Sequence, residues 1–87
     1  MLSQRQSFRN DLSTPLEIMV EPNPDRYVLQ PHEEIEIEVE YLPGQAPFTV
    51  YVYDGGLWIG PAIRPKGVWV NGKAVEPDWK TPGPNAT

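Results

Sequence analysis

The chain has 87 residues, the size of one domain, and its eleven prolines and seven glycines leave no room for long helices. It has no cysteine and a single histidine, His32, which excludes disulfides, thiolate metal sites, cysteine nucleophiles and any site built on two imidazoles. Twelve acidic against seven basic residues, a net charge of −5, argue against nucleic-acid and anionic-membrane surfaces, which need clustered Lys and Arg.

The first fourteen residues are polar and aperiodic, with Leu2, Phe8 and Leu12 as isolated apolar positions, and are expected to be a flexible arm. Arg5 and Arg9 precede any acidic residue, but two arginines are too few for a presequence or a basic contact arm. The start, MLSQRQSFRN, lacks the apolar stretch of a signal peptide. No apolar run approaches the ~18–20 residues of a membrane-spanning helix. A soluble, cytoplasmic, bacterial protein is the expectation.

From Pro15 onward the sequence alternates with the period of strands. Leu16, Ile18 and Val20 define a first strand that Pro22 and Pro24 end, and Tyr27-Val28-Leu29 a short second one closed by Gln30-Pro31. The third is the clearest: Ile35, Ile37, Val39 and Tyr41 face one way, and Glu34, Glu36, Glu38 and Glu40 the other. A helix would scatter both sets around its circumference. The glutamate row reads as a solvated strand face, because carboxylates spaced along a flat strand diverge and cannot wrap one calcium ion. Glu17 and Glu21 would extend that acidity if the first and third predicted strands are neighbours.

After a turn at Leu42-Pro43-Gly44-Gln45, a strand from Pro47 to Tyr53 sets Phe48, Val50 and Val52 on one face and Thr49, Tyr51 and Tyr53 on the other. Asp54-Gly55-Gly56 supplies a tight turn. Leu57-Trp58-Ile59 follows, with Trp58 assigned to the core, and then Ala62-Ile63-Arg64, cut by Pro65. Val68-Trp69-Val70 and Lys73-Ala74-Val75 flank Asn71-Gly72, the strongest hairpin signal in the chain. A two-residue loop there pairs Val70 with Lys73, Trp69 with Ala74 and Val68 with Val75. Pro77, Pro82 and Pro84 end the ordered region near Trp79, which is expected to pin the tail. Asn85-Ala86-Thr87 matches a glycosylation sequon without a secretion signal to give it meaning.

These elements predict an all-β domain over 15–79, a small antiparallel β-sandwich or open barrel of six to seven short strands, with a flexible tail at 80–87. No strand-helix-strand unit suggests a parallel pairing. The stretch from Pro15 to Tyr41, with Val20-Glu21-Pro22, Tyr27-Val28-Leu29 and Pro31-His32-Glu33-Glu34 opening an alternating strand, resembles small uncharacterised bacterial β-sandwich proteins. It also resembles the early strands of cupredoxin-like and immunoglobulin-like sandwiches. The resemblance implies the fold without the copper chemistry, since a copper-carrying cupredoxin needs two His, one Cys and usually an axial Met.

The candidate site is aromatic. If Phe48, Val50, Val52 and Val68 face the core, Tyr51, Tyr53 and Trp69 lie outside as a binding patch, with Arg64 and Lys66 as rim contacts. Burial of these rings against the chain itself or a second copy is the competing expectation. No nucleophile, base and acid set is present, His32 sits at a turn, and Ser3, Ser7 and Ser13 lie in the arm. The expected function is therefore a non-enzymatic interaction or structural module, without metal or cofactor, that binds an unknown protein partner or forms a homodimer. The alternative is a carbohydrate- or small-ligand-binding domain that uses the same aromatics.

Overall fold

The computed structural model describes residues 1–22 and 24–84. Among them, eight strands form two four-stranded sheets. They are β1 (Leu2–Arg9), β2 (Leu16–Val20), β3 (Asp25–Leu29), β4 (Glu34–Tyr41), β5 (Phe48–Tyr53), β6 (Gly56–Pro61), β7 (Pro65–Val70) and β8 (Lys73–Ala74). Sheet A has the order β1-β4-β7-β8 and sheet B the order β3-β2-β6-β5. The fold is an all-β sandwich.

Alternation builds its core. Ile35, Ile37 and Val39 of β4 are fully buried against Ile18 and Val20 of β2, Leu29 of β3 and Ile59 of β6. Each buried aliphatic side chain contributes roughly 1.5–3 kcal/mol over its exposed state. The hairpin at Asn71-Gly72 has positive φ at both loop residues (49° and 81°), as a type I′ turn requires. It pairs Val70 with Lys73 and Trp69 with Ala74, and Val75 donates its N–H to Val68 O at 3.2 Å, the expected register.

Three expectations are corrected. Residues 2–9 are not an arm but β1, paired antiparallel with β4 along its whole length from Leu2↔Tyr41 to Arg9↔Glu34. The inward positions of β1 are Gln4, Gln6 and Phe8, so glutamines stand where the hydrophobic period would show. Second, β2 and β6 run parallel, with Ile18 beside Leu57. A parallel pair needs a long crossover; here the chain supplies it by crossing to sheet A as β4 and back, with no helix. Third, order extends past Trp79. Asp78 donates its N–H to Arg26 O (2.6 Å), and Gly83 lies against the Arg26 guanidinium. Asp78, rather than the exposed Trp79, fastens this segment. The sequon at 85–87 lies outside the described residues.

Asn10 ties the β1–β2 crossover together. It is 1% exposed, and its side-chain Nδ2 donates to Thr14 O (2.9 Å) and Leu29 O (3.0 Å). Its Oδ1 accepts from Leu12 N–H at 2.9 Å. Its backbone donates to Glu33 O and accepts from His32 N–H. Among the described residues, no buried side-chain polar atom is left without a partner.

Candidate functional site

The sandwich separates the aromatic residues that parity alone put together. Trp69 lies on the outer face of sheet A, in β7, whereas Tyr51 and Tyr53 lie on the outer face of sheet B, in β5. Both strands do turn these residues away from the core, as alternation requires. They turn them to opposite sides of the molecule, so the three never form one patch.

On sheet A, β4 is a central strand and its glutamate row is roofed by cations. Arg5 of β1 donates from Nη1 to Glu36 (2.9 Å) and from Nε to Glu38 (2.8 Å). Its guanidinium also stacks 4.1 Å from the centre of the Trp69 ring. Lys66, the extra residue of a β-bulge opposite the Glu38–Val39 step, stands 3.7 Å from Glu38. The Arg5 hydrogen bond holds the Glu38 carboxyl below its ordinary range. Trp69 folds over Gly67, where an added Cβ would collide with the indole. Glu36 and Glu38 are thus the middle of a cross-strand ion network, not a bare solvated face, and Trp69 is half-buried within it. Glu17 does not extend this acidity, because β2 belongs to the other sheet.

On the outer face of sheet B, Glu17 of β2 is a second hub. It accepts from Arg26 Nε at 2.6 Å and from the Tyr53 hydroxyl at 2.9 Å. Tyr53 lies over Gly56, whose missing side chain leaves room for the ring. The Arg26 hydrogen bond, helped by Tyr53, holds the Glu17 carboxyl below its ordinary 4.5 against a partial burial that opposes it. Burial first, then the bond to Glu17, raises the Tyr53 hydroxyl above its ordinary 10. Tyr53 is therefore a structural clasp with little ring to offer a ligand.

What remains open on sheet B is Tyr51, 62% exposed, beside Trp58, 42% exposed and directly across on β6. Trp58 is not in the core, a correction of the expected placement. The signal was present in the sequence: Leu57 and Ile59 point inward, so the residue between them must point out.

Arg64 and Lys66 belong to another feature, an open cleft of about 530 Å³ between β3 and the start of β7. Glu21, Asp25 and Glu76 line it with them, and Tyr27 lies in its wall. Burial, then the nearby charges of Asp25 and Glu76, pushes the Tyr27 hydroxyl up from 10 to about 12. His32 is exposed in a turn at φ 70°. Among the described residues, no three His, Asp or Glu side chains are grouped so as to hold a metal ion, and no helix is long and apolar enough to cross a membrane.

These shifts fix a pH profile. Glu17 has its pKa depressed on folding, so its contribution is complete above about pH 4.5 and is lost as pH falls through the lower folded value. Tyr27 has its pKa raised, so its contribution is present below pH 10 and is lost as pH rises toward 12. Glu17→Gln is expected to cost about 1.5–3 kcal/mol at neutral pH, the scale of a hydrogen bond to a charged group. Its Tm should converge with that of the wild type as the pH falls through the depressed folded value of Glu17, measured by circular dichroism melts. Parallel acid limbs would contradict the role given to Glu17.

Fold and surface together define a small two-sheet β-sandwich with an ion network on one outer face and an open aromatic pair on the other. No family model, curated protein or solved structure matches the chain.

Proposed function

We propose that this chain is a non-enzymatic interaction module and that its contact surface is β5 and the adjoining part of β6. The observation that carries this reading is the exposure of three consecutive residues of β5: Val50 at 41%, Tyr51 at 62% and Val52 at 80%. Val50 and Val52 are on the face that points toward the core side, yet sheet A does not cover them. An uncharged strand exposed on both faces is a surface suited to being covered by another polypeptide. A photo-crosslinking residue placed at position 52 should yield a discrete protein adduct in cells, while one at exposed Asp11 should not. No adduct from position 52 would end the reading.

A second reading, a carbohydrate-binding domain, is favoured by the Tyr51–Trp58 pair, because adjacent open rings can stack on a sugar. It no longer involves Trp69. Sugar titration that quenches wild-type tryptophan fluorescence but not that of Trp58→Phe would select it over protein docking.

A further inference from the structure

A β-sandwich exposes four strand edges, and three of the four here are short, charged or partly covered. Sheet A ends at β8, only two residues long, and at β1, which carries Arg5 and Arg9 along its edge. Charges and shortness are how edges resist pairing. At one end of sheet B, the C-terminal segment covers β3 through the bond from Asp78 N–H to Arg26 O. The remaining edge is β5, six residues reading FTVYVY without a charge.

The ladder shows which backbone groups of β5 are available. The Asp54-Gly55 turn closes on the pair Tyr53–Gly56, and past the other end Ala62 N–H donates to Pro47 O at 3.0 Å. Bonded pairs recur at every second residue of an antiparallel ladder. Tyr53, Tyr51 and Thr49 therefore direct their backbone groups to β6, and Phe48, Val50 and Val52 direct theirs outward.

We propose that a second copy of this chain occupies that edge. β5 pairs antiparallel with β5 of the partner subunit across a two-fold axis through Val50, and the two B sheets become one continuous sheet. The outward-facing residues are spaced symmetrically about Val50, so this register uses all of them at once. Val50 meets Val50 of the partner subunit, and Phe48 meets Val52 of the partner subunit, each as a bonded pair. A one-residue slip would set inward-bonded groups against outward ones and lose the ladder. The register also joins the apolar stripe of Phe48, Val50 and Val52 to its symmetry mate, setting Val52, the most exposed side chain of the strand, beside Phe48 of the partner subunit.

Charge permits a second copy at this edge, and the symmetric placement of Phe48, Val50 and Val52 makes the strand complementary to itself. The chain carries −5, so most self-contacts would oppose like charges, but the Phe48–Tyr53 segment has none. The nearest acidic residue, Asp54, falls opposite Ala46 of the partner subunit. An isologous contact of this kind closes after two copies and does not propagate.

The inference rests on β5 being a contact surface at all, and the experiment separates the two. Light scattering on the full chain, over a wide concentration range, should give twice the chain mass. Val50→Pro removes an N–H that points outward and none that bonds β6, so the mass should halve with little change in the Tm of the monomer. Val52→Lys, at a side chain already in solvent, should give the same loss and does not depend on the backbone tolerating proline. A monomeric wild type at the highest concentration, or variants that remain dimeric, would overturn the proposal. If the position-52 adduct has the mass of another protein, the contact surface stands and self-pairing fails. If there is no adduct and no dimer, both fail.

Discussion

Asn10→Ala is expected to lower stability by about 2–4 kcal/mol and the Tm by at least ~10 °C. Its amide donates to the carbonyls of Thr14 and Leu29 and accepts from Leu12 N–H, all at 2.9–3.0 Å. Alanine removes all three bonds and leaves Leu29 O in an interior where nothing replaces the donor. Each buried polar group stranded in this way costs about 1–3 kcal/mol, and in a domain of this size 1 kcal/mol moves Tm by about 4–8 °C. Asn10→Asp keeps the shape and the acceptor but puts a carboxylate against two carbonyl oxygens, and it should be at least as damaging. Chemical denaturation of both variants tests this. An alanine variant within about 0.5 kcal/mol of the wild type would show that water takes over the role of the amide.

Deleting residues 1–9 is expected to abolish cooperative folding. If those residues were an arm, their loss would be neutral. As β1 they pair with β4 over eight residues, place Phe8 against the core and bring Arg5 to Glu36 and Glu38. Removal exposes the whole backbone edge of β4, opens the side of the core at Ile35, Ile37 and Val39, and leaves the glutamate row without its main counter-charge. A small sandwich with no disulfide has only a few kcal/mol of stability to lose. The truncated chain should be aggregated or unfolded by circular dichroism and amide dispersion. A soluble two-state melt near the wild-type Tm would refute the role of β1.

These two residue sets also mark where sequence reasoning stops. Strands with aliphatic residues on one face, such as Ile35, Ile37 and Val39, could be read directly, and so could the Asn71-Gly72 hairpin with its register. β1 could not, because Gln4 and Gln6 occupy its inward positions and erase the apolar period. Its signature is instead complementary: Arg5 faces glutamates more than thirty positions away, and single-strand patterning does not register a partner. Asn10 was hidden for the same reason, since an asparagine next to a turn looks solvent-facing until its carbonyl partners arrive from distant elements. The aromatic site failed differently. Parity correctly turned Tyr51, Tyr53 and Trp69 outward, but a sandwich has two outsides, and only strand order assigns residues to them. Trp58 is within reach of parity, because Leu57 and Ile59 on either side of it point inward.

The parallel pairing of β2 with β6 bears on how the chain reaches its native state. Three hairpins, β2–β3, β5–β6 and β7–β8, can close locally. The ladders that join them into sheets, β2–β6, β1–β4 and β4–β7, all connect distant segments. Loop-closure entropy must be met before those contacts contribute, which places such topologies among the slow two-state folders, in the millisecond-to-second range. The β5–β6 hairpin therefore forms while β6 still lacks β2 beside it, and for that interval both edges of the hairpin are open. A nascent chain in that state presents the same uncharged FTVYVY strand that the finished molecule presents.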